Sequence, residues 1–259
     1  MTQKIIFFDI DGTLLDDEKN LPKSAEQSIQ KLKDNGHIVA IATGRAPFAF
    51  KDLREKLGIS SYVSLNGQYV VLEDEVVYRN PLNFSALNEL VAFAEKRNTP
   101  VLYLSPDDWR TNVEQNQLVE DVVGTLKIPH KLTFASGPYG PDENYQALLF
   151  CEPGEEKPYE DHFKQFNFIR WHEQSVDVLP NGGSKAEGIE KLINAADLKR
   201  DNAYAFGDGL NDMEMLEYIP NGVAMGNALD PVKKVAKHIT KNVDDDGIAF
   251  GLEKLGLLS

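Results

Sequence analysis

The sequence predicts an α/β protein, a doubly wound parallel sheet interrupted by an inserted α+β block. Two observations lead there. Short apolar runs alternate with amphipathic stretches near the start of the chain and again after Gly182-Gly183. Between them the alternation breaks down for about 100 residues, enough to hold a core of its own. Strands buried on both faces read as continuous apolar runs, and strand–helix alternation is the mark of a parallel sheet.

The elements follow in order. Lys4 to Asp9 is an apolar strand, broken by Gly12. Pro22 opens a helix to Asn35, with Ile29 and Leu32 on one face and Gly36 as the stop. Ile38 to Ala42 is a second strand and runs into Thr43-Gly44-Arg45; a helix over Phe48 to Leu57 and a strand over Tyr62 to Leu65 come next. Tyr69 to Leu72 and Val76 to Tyr78 flank Glu73-Asp74 as a hairpin. Leu82 to Arg97 is amphipathic, and Tyr145 to Cys151, Phe168 to Trp171 and Val176 to Leu179 are strands among Pro and Gly punctuation. Ser184 caps a helix to about Ala196; a strand at Ala203 to Phe206 and a helix at Asn211 to Tyr218 follow. Strands at Gly222 to Met225 and His238 to Thr240 and a helix at Gly247 to Leu255 complete the chain. The expected domains are a catalytic core from 1–81 and 183–259 and an inserted domain over 82–182.

The charge balance narrows the partners. With 27 Lys+Arg against 41 Asp+Glu the net charge is −14, and no basic stripe suggests nucleic acid. No stretch approaches the roughly 18 apolar residues of a membrane span. One cysteine, Cys151, excludes an intramolecular disulfide and suits a reducing compartment, so a soluble cytoplasmic protein is expected.

Three predicted strand ends carry unusual residues: Asp9-Ile10-Asp11-Gly12-Thr13, Thr43-Gly44-Arg45 and Gly207-Asp208-Gly209-Leu210-Asn211-Asp212. In an open parallel sheet those ends line the binding crevice, so Asp9, Asp11, Asp208 and Asp212 should converge there. Four acids together repel unless a cation sits among them, and hard oxygen donors of this kind suit Mg²⁺. A carboxylate in such a place can be a nucleophile, and a second one two residues on can shuttle a proton. A calcium loop beginning at Asp9 fails on register, because Gly12 comes too early and position twelve is Asn20.

Asp9-Ile10-Asp11-Gly12-Thr13-Leu14 resembles the first motif of the haloacid dehalogenase superfamily, Thr43-Gly44 its second, Lys185 its third and Gly207 to Asp212 its fourth. Arg45, Asn66-Gly67 and the run Val176-Asp177-Val178-Leu179-Pro180 into Gly183-Ser184-Lys185 resemble the Cof-type, sugar-phosphatase-like branch, which carries a large cap after the second motif. The resemblance implies a Rossmann-like core and a phosphatase acting on small phosphorylated metabolites. It implies Asp9 as nucleophile, Asp11 as proton donor and acceptor, and Mg²⁺ held by Asp9, Asp208 and the Asp11 carbonyl. It assigns phosphate to Thr43, Lys185, Asn211 and backbone N–H groups near Ile10 and Gly44, and places Asp212 behind the metal or Lys185. A phosphosugar mutase and a non-enzymatic phosphometabolite-binding regulator are the alternative functions.

Plainer readings stand beside these. Lys185 alone would be a solvated first-turn lysine, though an anion at the helix start would explain it. Arg45 suits a substrate or a structural ion pair equally; Asn66-Gly67 suits a turn better than a substrate contact. Asp244-Asp245-Asp246-Gly247 reads as a capped helix start, Cys151 as inert core, and Trp109 and Trp171 as core of the inserted block.

Overall fold

The computed structural model describes residues 2–258. The chain opens with β1 (Ile5–Phe8), α1 (Lys23–Asp34), β2 (Ile38–Ala42), α2 (Lys51–Leu57), β3 (Ser61–Ser64), β4 (Tyr69–Leu72) and β5 (Glu75–Arg79). It continues through α3 (Phe84–Glu95), β6 (Val101–Leu104), β7 (Trp109–Thr111), α4 (Gln117–Thr125), β8 (Thr133–Phe134), β9 (Gln146–Leu149), α5 (Lys157–His162), β10 (Phe166–His172) and β11 (Ser175–Pro180). The last stretch holds α6 (Lys185–Ala195), β12 (Ala203–Gly207), α7 (Met213–Tyr218), β13 (Asn221–Ala224), α8 (Asp230–Val235), β14 (His238–Ile239) and α9 (Gly247–Lys254).

Two compact units result. The first comprises Met1–Gly44, Lys51–Tyr78 and Ser184–Ser259; the second comprises Arg45–Phe50 and Arg79–Gly183. The first is built on an eight-stranded sheet in the order β14-β13-β12-β1-β2-β3-β4-β5, parallel from β14 to β3. From β1 the chain winds outward through β2 and β3, then returns to β12 and winds the other way, which is the doubly wound order. Ile5 to Phe8 are wholly buried because the central strand is covered on both faces. Ile189, Leu192, Met215, Leu216 and Val232 from α6, α7 and α8 seal one face. Burying such side chains contributes about 1.5–3 kcal/mol each.

The second unit has its own six-stranded sheet in the order β10-β11-β9-β6-β7-β8. All its pairs are antiparallel except β7 with β8. Its core sets Leu87, Leu90, Val91 and Ala94 of α3 and Tyr159 and Phe163 around α5 against Val101, Tyr103, Ala147, Leu149, Val176 and Val178 of the sheet. Among the described residues no helix is long and apolar enough to cross a membrane.

Several elements depart from expectation. Phe48 to Leu57 is not one helix: Pro47–Phe50 forms a 3-10 turn and belongs to the second unit, while α2 begins at Lys51 in the first. Helices α4, α5 and α8 lie outside the elements expected from the sequence; α5 and α8 span only six residues each and both carry Pro in the first turn. Asp246 precedes α9 but has φ 55 and makes no side-chain cap; its carboxylate accepts from Ser24 Oγ at 2.6 Å instead. Trp109 is buried, 2% exposed, whereas Trp171 is only partly covered. Cys151 is buried, and burial pushes its thiol up, which keeps it protonated and unreactive.

Candidate active site

Strand β1 lies between β12 and β2, where the winding of the first unit reverses and an open α/β sheet offers its binding crevice. Phe8 pairs with Phe206, and the Asp9 N–H donates to the Phe206 carbonyl at 3.0 Å. The two neighbouring strands therefore deliver Asp9 and Asp208 to the same place. Asp212 joins them from the 3-10 turn Leu210–Asp212 that leads into α7. Asp9, Asp208 and Asp212 each present a carboxylate oxygen, and these oxygens lie within 4.8 Å of one another.

Lys185 is the cation at this junction. Ser184 caps α6 by accepting from the Glu187 N–H at 3.3 Å, which fixes the first turn and the stem of Lys185. The lysine is 2% exposed, so the solvated reading is overturned. Its Nζ donates to Asp9 Oδ1 and to Asp212 Oδ1, each at 2.6 Å. The other oxygen of Asp212 accepts the backbone N–H groups of Asp208 and Gly209, both at 2.9 Å. Asp212 thus holds Lys185 on one side and the Asp208 backbone on the other.

The acids pay electrostatically for their closeness. Burial, then the charge of Asp212, push the Asp9 carboxyl well above the usual range against the pull of Lys185. Burial raises Asp208 to about 7; Thr13 Oγ1, donating to Asp208 Oδ1 at 2.7 Å, works against it and Asp212 works with it. Burial draws the Lys185 ammonium down, but Asp212 and Asp9 outweigh it and hold the lysine above its ordinary value. Acids kept from ionising by desolvation first, and then by neighbouring carboxylates, are what a divalent cation relieves. The donor set is all oxygen, which fits a hard ion such as Mg²⁺. Asp212 already spends both oxygens on protein donors, so Asp9 and Asp208 are the carboxylates suited to hold it.

Asp11 stands apart from the three. Its Oδ1 accepts from Lys19 Nζ at 2.6 Å, and the turn that carries Lys19 is closed by its N–H on the Asp16 carbonyl at 2.9 Å. Gly12 occupies φ +78, and a Cβ there would collide with the Asp208 carboxylate; the acids approach because position 12 has no side chain. Asn227 pins this loop by donating from Nδ2 to the Gly12 carbonyl at 2.8 Å. Ile10 is wholly buried beneath it. Thr43, 1% exposed, directly follows β2 and stands against β3, its N–H on the Val63 carbonyl at 2.9 Å. Asn211 is exposed, and its Nδ2 meets Asn66 Oδ1 at 3.4 Å, while the Asn66 amide lies against Gly44. Gly67 backs onto Ser184.

The structure thus brings Asp9, Asp208, Asp212 and Lys185 into one cluster, with Asp11, Gly12 and Thr13 on the adjoining loop. Arg45 belongs to the second unit, where it donates to the Leu126 carbonyl at 3.2 Å. Thr13, Lys19 and Asn227 were missed by sequence reasoning. Thr13 lay inside a motif already in view; Lys19 and Asn227 carried no spacing signal.

Residues 6–252 match the profile of the haloacid dehalogenase-like hydrolases, and the chain belongs to that family. It is 46% identical over the full length of both chains to YkrA of Bacillus subtilis (strain 168), named as a candidate phosphatase. It is 29% identical to that organism's 5-amino-6-(5-phospho-D-ribitylamino)uracil phosphatase YitU, covering 96% of each chain. The solved structure of BT4131, a subclass IIB sugar phosphatase, superposes with a TM-score of 0.88 at 28% identity, over 98% of this chain and 100% of that one.

Proposed function

We propose that this hydrolase is a Mg²⁺-dependent phosphatase that cleaves small phosphorylated metabolites, sugar phosphates foremost, through a phosphorylated Asp9. The observation that carries the reading is the meeting of Asp9, Asp208 and Asp212 oxygens within 4.8 Å, with a buried Lys185 between Asp9 and Asp212. The sugar phosphatase and phosphoribityl phosphatase among its relatives support the substrate class.

In this mechanism the Asp9 carboxylate attacks phosphorus in line with the departing oxygen, and the bond from phosphorus to the alcohol breaks. Asp11 gives its proton to that oxygen. Asp11 then takes a proton from water, the water oxygen attacks phosphorus, and the bond to Asp9 breaks to release phosphate. Lys185 orients Asp9 and offsets charge on the phosphoryl oxygens, with Thr43, Asn211 and N–H groups near Ile10 and Gly44 as further donors. Mg²⁺, held by Asp9 and Asp208 with the Asp11 carbonyl, supplies charge neutralisation at the transferring group. The first unit, close to the expected 1–81 and 183–259, is the catalytic core, and the second, which takes in the domain over 82–182 and Arg45, is left to select the substrate. A cytoplasmic setting suits small phosphorylated substrates.

The deciding measurement is release of inorganic phosphate from a hexose phosphate with Mg²⁺ and with EDTA, with and without a sugar bisphosphate. Mg²⁺-dependent release by the native chain, lost in Asp9→Asn, is expected. Transfer between sugar positions with no free phosphate would identify a mutase instead.

A further inference from the structure

We propose that Asn66 is a positioning residue for phosphate binding, acting through Thr43, Gly44 and Asn211 and making no contact with the leaving group. The inference rests on the phosphate-binding roles proposed above. It begins with the backbone. Leu65, Asn66 and Gly67 follow β3 with φ values of 52, 52 and 96, three left-handed residues in a row. Asparagine and glycine tolerate that conformation; leucine does not. Strain of this kind persists only where the surroundings enforce it, and it gathers at functional sites.

The surroundings here are specific. The Asn66 N–H donates to the Thr43 carbonyl at 3.1 Å, the Gln68 N–H donates to the Leu65 carbonyl at 3.2 Å, and Gln68 Nε2 donates to the Asn66 carbonyl at 2.8 Å. The side-chain amide is laid over Gly44: a Cβ on Gly44 would stand 3.0 Å from Asn66 Oδ1 and 3.1 Å from Nδ2. The same Oδ1 accepts from Asn211 Nδ2 at 3.4 Å. One residue further on, a Cβ on Gly67 would stand 2.7 Å from the Ser184 carbonyl carbon and 3.3 Å from the Gly188 nitrogen. The turn therefore abuts all three segments that carry Thr43 and Gly44, Lys185, and Asn211, which are far apart in sequence. Asn66 itself is 4% exposed, which leaves no face for a sugar and argues for action through its neighbours.

The test uses the full chain with Mg²⁺ and the variant Asn66→Gly, which removes the amide but keeps the left-handed turn. The readouts are kcat/KM for p-nitrophenyl phosphate, glycerol phosphate and a hexose phosphate, and inhibition by orthovanadate. The expected result is a loss of at least about tenfold, by one common factor for all three substrates, with orthovanadate inhibition weakened in parallel. Asn66→Ser, too short to reach Asn211, should give the same signature and serves if the glycine variant fails to fold. A loss that differs among substrates would make Asn66 a leaving-group contact and overturn the proposal. Unchanged orthovanadate inhibition would reduce it to a folding element and overturn it equally. Lys185→Ala separates the two layers of argument. If it leaves orthovanadate inhibition intact, the phosphate assignment falls and this inference with it. If it weakens inhibition while the Asn66 variants do not, the inference alone fails.

Discussion

Lys185 Nζ stands 2.6 Å from Asp212 Oδ1, and neither side chain has more than 1% of its surface in solvent. The same nitrogen is 2.6 Å from Asp9. A lysine in this position does two jobs, because it orients the nucleophile and keeps two buried acids from facing each other bare. Lys185→Met keeps the bulk and removes the charge. Breaking a buried pair from one side costs about 3–5 kcal/mol. Loss of a preorganised donor at the reacting group should lower kcat by about three decades. Urea unfolding and phosphate release measure the two effects, and a variant with native stability and native rate would contradict the arrangement.

Asp9→Asn should separate activity from stability in the opposite sense. Burial and Asp212 disfavour the ionised form of Asp9, so a neutral isostere removes a cost that the native chain carries near pH 8. The variant should be inactive, yet in EDTA it should melt no lower than the native chain. Such trade-offs are common where an active site stores unfavourable charge. A clearly lower melting temperature in EDTA would show that the pairing with Lys185 outweighs the repulsion.

Metal and pH should be coupled through the same acids. The Asp208 carboxyl titrates at about 7 in the fold against an ordinary 3.8, so between those values the folded chain holds a proton that the unfolded chain has released. Stability from this group is fully present below 3.8 and is lost as pH rises through about 7; Asp9 is shifted in the same direction. A divalent cation neutralises the charges that appear. Mg²⁺ should therefore raise the melting temperature more at pH 8 than at pH 5, and its binding near pH 6 should release protons. Calorimetry in two buffers of different ionisation heat tests both, and an equal stabilisation at the two pH values would contradict the coupling.

Much of this site is legible in the sequence because physics makes it so. An apolar strand running directly into Asp9 and Asp11, and a second into Asp208, marks strand ends where acids have no structural reason to gather. Lys185 was legible only through its motif, since charge and helix position alone argue for a solvated side chain. The Asp246 cap failed for a different reason. Three acids before a helix satisfy the composition rule, but capping needs an extended backbone, and Asp246 is left-handed. Tertiary contact with Ser24 decided the matter, and no local pattern encodes a partner 222 residues away. Asn227 was out of reach in the same way, its partner Gly12 lying 215 residues earlier.

Gly12 gives a sharp local test. Its φ of +78 disfavours any side chain, and a Cβ would lie 2.7 Å from Asp208 Cγ. Gly12→Ala must either turn the loop or push Asp208 away from Asp9. The strain alone costs about 1–2 kcal/mol. The expected signature is a higher Mg²⁺ concentration for half-maximal activity together with lowered stability. A variant that lost stability but kept native Mg²⁺ dependence would show that the loop yields and the acids do not.

Lys19 makes the least expected contact near the site. It sits at φ 66, a strained setting for lysine, and from there its Nζ meets Asp11 Oδ1 at 2.6 Å. If Asp11 protonates the leaving oxygen, its aim matters most where that oxygen is strongly basic. An alkoxide leaving from a hexose phosphate needs the proton; the nitrophenolate of p-nitrophenyl phosphate departs without it. Lys19→Met should therefore slow hexose phosphate turnover about tenfold more than p-nitrophenyl phosphate turnover, and Asp11→Asn should widen the same gap. Lys19→Arg, which keeps a donor in reach, should close most of it. Steady-state rates on the two substrates decide the point, because an equal loss on both would mean that Lys19 holds the loop together without aiming Asp11.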